Sequence, residues 1–280
     1  MGALELEGVV KHFTGSGELV RAVDGVSLGA DWGEMVALRG PSGSGKSTLL
    51  LLIGGLLEPD AGAIRFDGRD LTNMSEQRRS QYLQRDVGFV YQRFPLLPRV
   101  KAIENAAVKL MLGGMSMRQA QRQARPWLER VGLGDRLGHT PEQLSAGERQ
   151  RLAIARALAA EPRMILADEP TGNLDSARSR EIVGLLREVA HERGAIVLLV
   201  THDAEAAELA DRKCQLRDGR LQETPSPRVS RDGDNAPDAL AASGITLDEA
   251  PGSDLATETA GGAVRPAGHA ESLFPTAREG

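Results

Sequence analysis

Nine residues near the N-terminus carry the strongest chemical pattern in the chain. Residues 40–48, GPSGSGKST, have the spacing G-x-x-x-x-G-K-[ST] and lie between an apolar run of strand length and a helical run. In such a loop the backbone N–H groups curl around phosphate oxygens, Lys46 reaches the β- and γ-phosphates, and Ser47 holds Mg²⁺. The alternative is a Gly-rich strand-to-helix turn without a ligand. Only five of the 34 basic residues are lysines, so a lysine at this position favours phosphate binding. The predicted nucleotide-binding loop is Gly40, Pro41, Ser42, Gly43, Ser44, Gly45, Lys46, Ser47 and Thr48.

Two adjacent carboxylates follow a second apolar run. Residues 164–170, MILADEP, place Asp168 and Glu169 at the end of a predicted buried strand. Beside a phosphate loop, Asp168 is predicted to lie next to Mg²⁺, and Glu169 to orient or deprotonate an attacking water. The alternative is a strand that ends in an acidic turn before Pro170.

Gln92 and His202 also end predicted strands, in FVYQ and LLVTH. The carboxyl ends of parallel strands form the edge of the sheet where ligands bind in open α/β folds. Each residue taken alone is more typical of an ordinary polar position, so their assignment to a site depends on the other motifs.

A helix start in the second half of the chain has two interpretations. Ser145 and Glu148 stand three apart in LSAGERQRLAIARALAAEP, the spacing of a capping box. A helix N-terminus is also an anion site. Ser145 is therefore a simple cap, or half of a nucleotide site whose other half is the phosphate loop.

The elements that position these residues follow from the apolar runs. Residues 34–40, 86–92, 163–170 and 194–202 each contain an apolar run without polar alternation, which predicts strands buried on both faces of a parallel sheet. Between Gln92 and Ser145 the pattern is helical, so an α-helical insertion is expected at about 93–156. Ser116 is the expected cap of one of its helices, and Pro126 predicts a break or kink near Arg125.

Composition separates a globular body from an acidic tail. Residues 225–280 contain nine Asp or Glu and four Lys or Arg, which accounts for the whole net charge of −5. Low hydrophobicity with excess charge predicts a disordered tail. The neutral body argues against nucleic-acid binding, which needs a basic face. A single cysteine, Cys214, fits a reducing compartment, and neither a signal peptide nor a run of about 20 apolar residues is present.

Taken together, residues 3–223 resemble the ATP-binding subunit of an ABC transporter. GPSGSGKST resembles the Walker A loop, MILADEP the Walker B motif with the catalytic glutamate, LSAGE the signature motif and TGNLDS the D-loop. The resemblance implies roles for residues at the matching positions: the Q-loop glutamine with Mg²⁺, the switch histidine, the D-loop aspartate and an adenine-stacking aromatic. These are Gln92, His202, Asp175 and Phe13, the last of which could equally be a core residue.

The fold implied by this resemblance is α/β. It comprises a P-loop NTPase (RecA-like) core with a mainly parallel sheet, an N-terminal antiparallel β portion and an inserted α-helical subdomain. Residues 1–224 would form this ATPase domain, and 225–280 the tail.

The details are similar to the branch that serves lipoprotein release, macrolide efflux and cell-division complexes. The usual signature of that branch is Ser-Gly-Gly, whereas this chain has Ala146 in the middle. That methyl group either fits against the nucleotide or slightly loosens the closed state.

The resemblance also implies partners. Ser145 and the Gly147 backbone of one subunit would donate to the γ-phosphate of ATP held by another, so two copies would form a homodimer around two Mg·ATP. The expected protein is cytoplasmic, peripheral on the inner face of the cell membrane, and drives an integral-membrane permease.

Four alternatives remain at this stage. The first is an ABC-type ATPase that powers mechanical signalling, as in cell division. The second is a soluble ABC-type ATPase of translation or DNA repair, which would carry two cassettes, long coiled coils or zinc motifs, and this sequence has none of these. A regulator that binds ATP without turnover is disfavoured by Glu169 and His202. A phosphate-loop kinase would leave LSAGE unexplained.

Overall fold

A computed structural model of the protein describes residues 2–15, 18–92 and 95–223. These ranges all fall within one unit, Met1–Arg228. The predicted acidic tail, residues 225–280, lies outside the described residues.

The described residues form ten strands and seven α-helices. In chain order they are β1 (Leu4–Gly15), β2 (Glu18–Ala30), β3 (Met35–Arg39), α1 (Lys46–Ile53), β4 (Ala61–Phe66), β5 (Arg69–Asp70), α2 (Glu76–Arg85), β6 (Val87–Val90), α3 (Ala102–Leu112), α4 (Met117–Arg130), α5 (Ala146–Ala159), β7 (Met164–Asp168), α6 (Ser176–Arg193), β8 (Ile196–Val200), α7 (Ala204–Glu208), β9 (Arg212–Arg217) and β10 (Arg220–Glu223).

The N-terminal sheet is antiparallel, with strand order β2-β1-β4-β5. Apolar residues that alternate along β1 face the core, where Leu4, Leu6 and Val9 are buried. Near the end of the β1–β2 hairpin Phe13 pairs with Val20, and both side chains are exposed. The hairpin therefore has a buried base and an apolar, exposed tip.

The second sheet is mainly parallel, with strand order β10-β9-β3-β8-β7-β6. Only the β9–β10 pair is antiparallel. Every residue of β7 and β8 is buried, as their unbroken apolar sequences predict. The α/β fold class with a mainly parallel sheet and an N-terminal antiparallel portion is confirmed.

The helices α3, α4 and α5, which follow β6 and precede β7 in the chain, pack against one another. Buried alanines let their backbones approach closely: Ala102, Ala106, Ala107, Ala120, Ala124, Ala153 and Ala157. The last helix of this group ends at Ala159, three residues beyond the expected boundary of the insertion.

Pro126 does not break α4, which is continuous over Met117–Arg130. Its missing N–H leaves the carbonyl of Arg122 without its helical donor, but Arg122 is exposed and water can supply the hydrogen bond. Buried side chains on both sides of the proline hold the helix in place, namely Ala124, Trp127 and Leu128. Of the predicted break or kink near Arg125, the break is wrong because tertiary packing outweighs the local preference, whereas the kink stays a prediction.

Candidate active site

The loop between β3 and α1 requires glycine at two positions. Gly40 and Gly45 have φ angles of 154° and 97°. A Cβ atom on Gly40 would lie 2.0 Å from the carbonyl oxygen of Leu216, and one on Gly45 would lie 1.8 Å from that of Ala22. Any other residue at either position would force the backbone of a neighbouring strand away. The loop is therefore held tightly against β2 and β9.

Lys46 is the first residue of α1, and its ammonium group reaches back over the loop. Nζ donates to the carbonyl oxygens of Gly40 and Pro41, both at 2.8 Å, and to Ser44 Oγ at 3.3 Å. These contacts place a fixed positive charge inside the curve of the loop, where a phosphate chain would lie.

Asp168, the last residue of β7, lies next to the loop and is buried. Burial raises the pKa of its carboxyl group above the ordinary value, and the charge of Glu169 adds to this effect. A hydrogen bond from Ser47 and the charge of Lys46 oppose it. A divalent cation beside this carboxylate would offset the cost of burying its charge.

The donor set fits Mg²⁺. Within the described ranges, no cluster of three or more His, Cys, Asp or Glu side chains could hold a metal ion. Mg²⁺ is commonly bound through one or two carboxylates together with substrate phosphates, and an all-protein cage is not needed. Asp168 and the hydroxyl of Ser47, which are hydrogen-bonded to each other, could provide such a site, and Gln92 lines the same cavity.

Glu169 has an unusual backbone conformation for its residue type, with φ at 50°. Its N–H donates to the carbonyl oxygen of Val200 at 3.0 Å, and its own carbonyl accepts from Gly172 at 3.3 Å. Left-handed backbone costs a non-glycine residue about 1–2 kcal/mol, so the surrounding contacts must hold it. The result is a carboxylate that turns away from the strand direction and towards His202.

His202 follows β8 and contacts that carboxylate directly. Its Nδ1 lies 2.8 Å from Glu169 Oε2, and its backbone N–H donates to the same oxygen at 3.4 Å. The His202 side chain is 76% exposed, whereas that of Glu169 is 14% exposed. One face of the imidazole ring is therefore available to a ligand.

A cavity of about 1140 Å³ unites most of the predicted site residues. Those that line it are Phe13, Gly40, Ser42, Gly43, Ser44, Gly45, Lys46, Ser47, Thr48, Gln92, Asp168, Glu169 and His202. Phe13 is 40% exposed at the mouth of the cavity, which removes the alternative of a core position. Pro41 belongs to the loop through its carbonyl contact with Lys46.

Besides Pro41, three predicted residues lie outside this lining: Ser145, Gly147 and Asp175. Ser145 Oγ accepts from the Glu148 N–H at 3.2 Å, and Glu148 Oε2 accepts from the Ser145 N–H at 2.8 Å. This reciprocal pair confirms the capping box at the start of α5. Asp175 caps α6 by accepting from the N–H of Arg178 at 3.0 Å.

A family model described as ABC transporter matches residues 23–172. The chain is 45% identical over 219 residues to the lipoprotein-releasing system ATP-binding protein LolD of Shewanella frigidimarina, a match that covers 78% of this chain and 92% of that protein. LolD 2 of Caulobacter vibrioides is 48% identical, with 78% and 94% covered. The chain belongs to the ABC transporter family.

Two further comparisons extend this result. The macrolide export ATP-binding/permease protein MacB of Syntrophobacter fumaroxidans is 43% identical, and the match covers 79% of this ABC chain and 31% of MacB. Among solved structures, a dimeric post-hydrolysis state of the ATP-binding cassette MJ0796 with ADP and Pi has a TM-score of 0.75 and 36% identity. That alignment covers 80% of this chain and 99% of the cassette.

The expected resemblance is therefore confirmed, including its lipoprotein-release and macrolide-efflux branch. The chain is an ATP-binding and ATP-hydrolysing ABC transporter subunit that uses ATP with Mg²⁺. No helix in the described part of the chain has the length and apolar character needed to cross a membrane.

Several residues that line the cavity of this ABC subunit belong to none of the predicted motifs. Val20 and Ala22 line the cavity together with Phe13. Val20 is the residue that pairs with Phe13 across the β1–β2 hairpin, so a hairpin prediction in this register would have placed it beside Phe13. Arg149 and Asn173 also line the cavity. They come from α5 and from the turn after β7, and no spacing rule brings those two segments together.

Proposed function

We propose that this chain hydrolyses ATP in sites shared between two copies. The observation that supports this proposal is that the phosphate loop lines the large cavity, whereas Ser145 and Gly147 at the N-terminus of α5 lie outside that lining. Arg149, one turn further along α5, does line it. The dimeric state of the MJ0796 cassette supports the same arrangement.

In this proposal the phosphate loop of one copy binds the triphosphate, and α5 of the other copy closes the site. Lys46 and the loop N–H groups hold the β- and γ-phosphates. Ser145 Oγ and the Gly147 N–H donate to the γ-phosphate from across the interface, with the positive end of the helix dipole behind them. Phe13 offers its exposed ring to adenine. Asp175 contributes to nucleotide binding as part of the D-loop.

Ser47, Gln92 and Asp168 would hold Mg²⁺, which supplies neutralisation of the phosphate charge. Glu169 accepts a proton from the attacking water as the water oxygen bonds to the γ-phosphorus. The bond between that phosphorus and the bridging oxygen breaks, and ADP leaves. His202 fixes the orientation of the Glu169 carboxylate during this step.

The proposed output is the release of a lipoprotein from a membrane. Two lipoprotein-releasing relatives support it, because the matches cover 92% and 94% of their lengths at 45% and 48% identity. The chain would act at the cytoplasmic face of the membrane and drive a permease in a separate chain. Macrolide export is the second candidate, supported by the 43% identity to MacB.

Residues 1–224 are proposed as the ATPase domain, with the helical subdomain at about 93–156. Residues 225–280 would be dispensable for turnover, since they combine low hydrophobicity with excess acidic charge. A chain that ends at residue 224 should retain the ATPase rate and melting temperature of the full chain.

The test of the shared site is Glu169→Gln. ATP affinity should remain, because binding depends on the phosphate loop, whereas turnover should fall by about 10² or more. The trapped ATP should then hold two copies together, which light scattering with and without ATP would detect. Glu192→Gln on the exposed face of α6 is the control, with normal turnover expected. Normal hydrolysis by Glu169→Gln would contradict the proposal.

The output is tested separately with the permease of a lipoprotein-releasing system, as the proposed partner of this chain. Both proteins should be reconstituted in vesicles that contain a fluorescent lipoprotein, and its release should require ATP. Stimulation of ATPase activity by a macrolide, without lipoprotein release, would favour the second candidate.

A further inference from the structure

Gln150 lies on α5 and is 1% exposed. Its side-chain amide makes two hydrogen bonds to backbone groups of another segment. Nε2 donates to the carbonyl oxygen of Glu169 at 3.1 Å, and Oε1 accepts from the N–H of Asn173 at 3.0 Å. The buried Gln150 amide thus donates to one backbone group and accepts from another, and both groups belong to a single turn.

That turn, residues 169–173, holds Glu169 in its left-handed conformation. The Glu169 carbonyl accepts from two donors, the Gly172 N–H within the turn and the Gln150 amide outside it. Because φ of 50° is unfavourable for glutamate, the conformation persists only where neighbouring contacts fix it. Gln150 therefore contributes to the direction in which the Glu169 side chain leaves the backbone.

The same turn is in close contact with the start of α5. A Cβ atom on Gly147 would lie 3.3 Å from the carbonyl oxygen of Asn173 and 3.1 Å from the Leu174 side chain. The Asn173 residue also lines the large cavity. The helix that begins at Ser145 is thus packed and hydrogen-bonded to the turn that carries Glu169.

We propose that Gln150 is a positioning residue for ATP hydrolysis, which fixes the Glu169 backbone so that its carboxylate reaches the attacking water. This inference depends on the proposed role of Glu169 as the residue that activates water. Gln150 also ties α5, whose N-terminus serves the partner's ATP, to the hydrolytic turn of its own copy.

A purely structural role is the competing explanation, because a buried amide with satisfied hydrogen bonds is an ordinary core feature. The two explanations differ in the kinetic parameters. Loss of a structural contact lowers stability and the fraction of folded protein, whereas loss of positioning lowers kcat per folded molecule and leaves ATP binding unchanged.

The matched control is Gln123 on α4. Its Nε2 donates to the carbonyl oxygen of Ala159 at 3.1 Å, so it is another glutamine amide that joins a helix to a backbone carbonyl. Its partner lies at the end of α5, away from the cavity lining. Gln150→Met and Gln123→Met each remove such an amide while keeping side-chain volume.

For Gln150→Met we expect kcat to fall by about tenfold to 10²-fold with KM for ATP within about threefold of normal. Gln123→Met should keep kcat within about twofold. A normal kcat for Gln150→Met would overturn the proposal. If that variant does not fold, Gln150→Glu provides the same readout with a side chain of nearly identical shape.

Gln150→Glu adds a pH test, because an ionised carboxylate cannot donate to the Glu169 carbonyl, whereas a protonated one can. Burial favours the protonated form. The ratio of its kcat to that of the unaltered protein should therefore rise by at least about threefold between pH 9 and pH 6. A ratio that falls from pH 9 to pH 6 would contradict the positioning role.

A double-mutant cycle separates this inference from the proposal on which it depends. If Gln150 acts through Glu169, adding Gln150→Met to Glu169→Gln should reduce the residual single-turnover rate by less than about threefold. A full additional loss would overturn the positioning role. Normal turnover by Glu169→Gln alone would instead overturn the proposed function, and a normal Gln150→Met beside an inactive Glu169→Gln would overturn only the inference.

Discussion

His202 Nδ1 lies 2.8 Å from Glu169 Oε2, although the two residues are 33 positions apart in the chain. The contact follows from the strand register. Asp168 at the end of β7 pairs with Val200 at the end of β8, so the residues after each strand emerge side by side. Parallel strands thus bring a carboxylate and an imidazole together at the carboxyl edge of the sheet.

This contact predicts that His202→Ala lowers kcat by at least about tenfold and leaves KM for ATP nearly unchanged. Without the imidazole, the Glu169 carboxylate loses the side-chain partner that orients it. Steady-state ATPase assays would measure the effect. The control is His191→Ala, since His191 also contacts a carboxylate, that of Asp211 at 3.0 Å, but on α6 outside the cavity lining. Equal losses in both variants would show that the His202 contact has no special role.

The sequence predicted the residues that short motifs fix, because their spacing encodes backbone geometry directly. The phosphate loop and the capping box of Ser145 are of this kind, and so are the buried strands β7 and β8. Gln150 escaped prediction because its partners are backbone atoms of a turn nineteen residues or more away, which any sequence could present. Pro126 was misjudged for a related reason, since the packing that keeps α4 continuous comes from other helices.

The buried carboxyl of Asp168 predicts opposite effects on stability and activity. Burial raises its pKa, so the folded state binds a proton more tightly than the unfolded state, and stability falls as pH rises through the window above the ordinary Asp pKa. Asp168→Asn should therefore melt at a higher temperature than the nucleotide-free parent at pH 7.5, yet lose Mg²⁺-dependent turnover. The gain in melting temperature should shrink as pH approaches 4.

Asp24→Asn is the control of opposite sign. The hydrogen bond from Arg220 lowers the pKa of Asp24, so its contribution stabilises the fold above the ordinary Asp pKa and is lost at lower pH. This variant should melt at a lower temperature than the parent at pH 7.5. A higher melting temperature for Asp24→Asn, or a lower one for Asp168→Asn, would contradict these pKa directions.

The lowered pKa of Lys109 on α3 predicts that the stability of the fold depends on pH in the alkaline range. Burial lowers the pKa of its ammonium group from 10.5 to about 8, while the charge of Asp86 opposes the shift. The unfolded chain therefore binds more protons than the folded chain between pH 8 and 10.5, so this residue makes the fold more stable as pH rises. The free energy of unfolding of the parent, relative to Lys109→Met, should increase by about 1–2 kcal/mol between pH 7.5 and 9.5. Urea titrations at both pH values would measure it, and a constant difference would contradict the lowered pKa.

Ser145 provides the sharpest test of a site shared between copies. As a helix cap alone, Ser145→Ala should cost about 1 kcal/mol of stability and leave catalysis per folded molecule intact. Ser75 caps α2 in the same way, by accepting from the Arg78 N–H, and Ser75→Ala is the matched control. If Ser145 also donates to the partner's γ-phosphate, only its variant should lose turnover far beyond the loss of stability.

Mixing Ser145→Ala copies with Lys46→Ala copies then distinguishes a site between copies from a site within one. In a mixed dimer, the intact phosphate loop of the first copy faces the intact α5 of the second, while the opposite site carries both substitutions. Activity should therefore reappear on mixing two nearly inactive proteins. If each site were built within one copy, every site would carry one substitution and mixing would restore nothing.

Dimers purified through two different affinity tags ensure that the mixed species is assayed. Trapping of one ATP per mixed dimer measures the intact site even where a single site turns over slowly. A mixed dimer that traps no ATP would overturn the arrangement between copies.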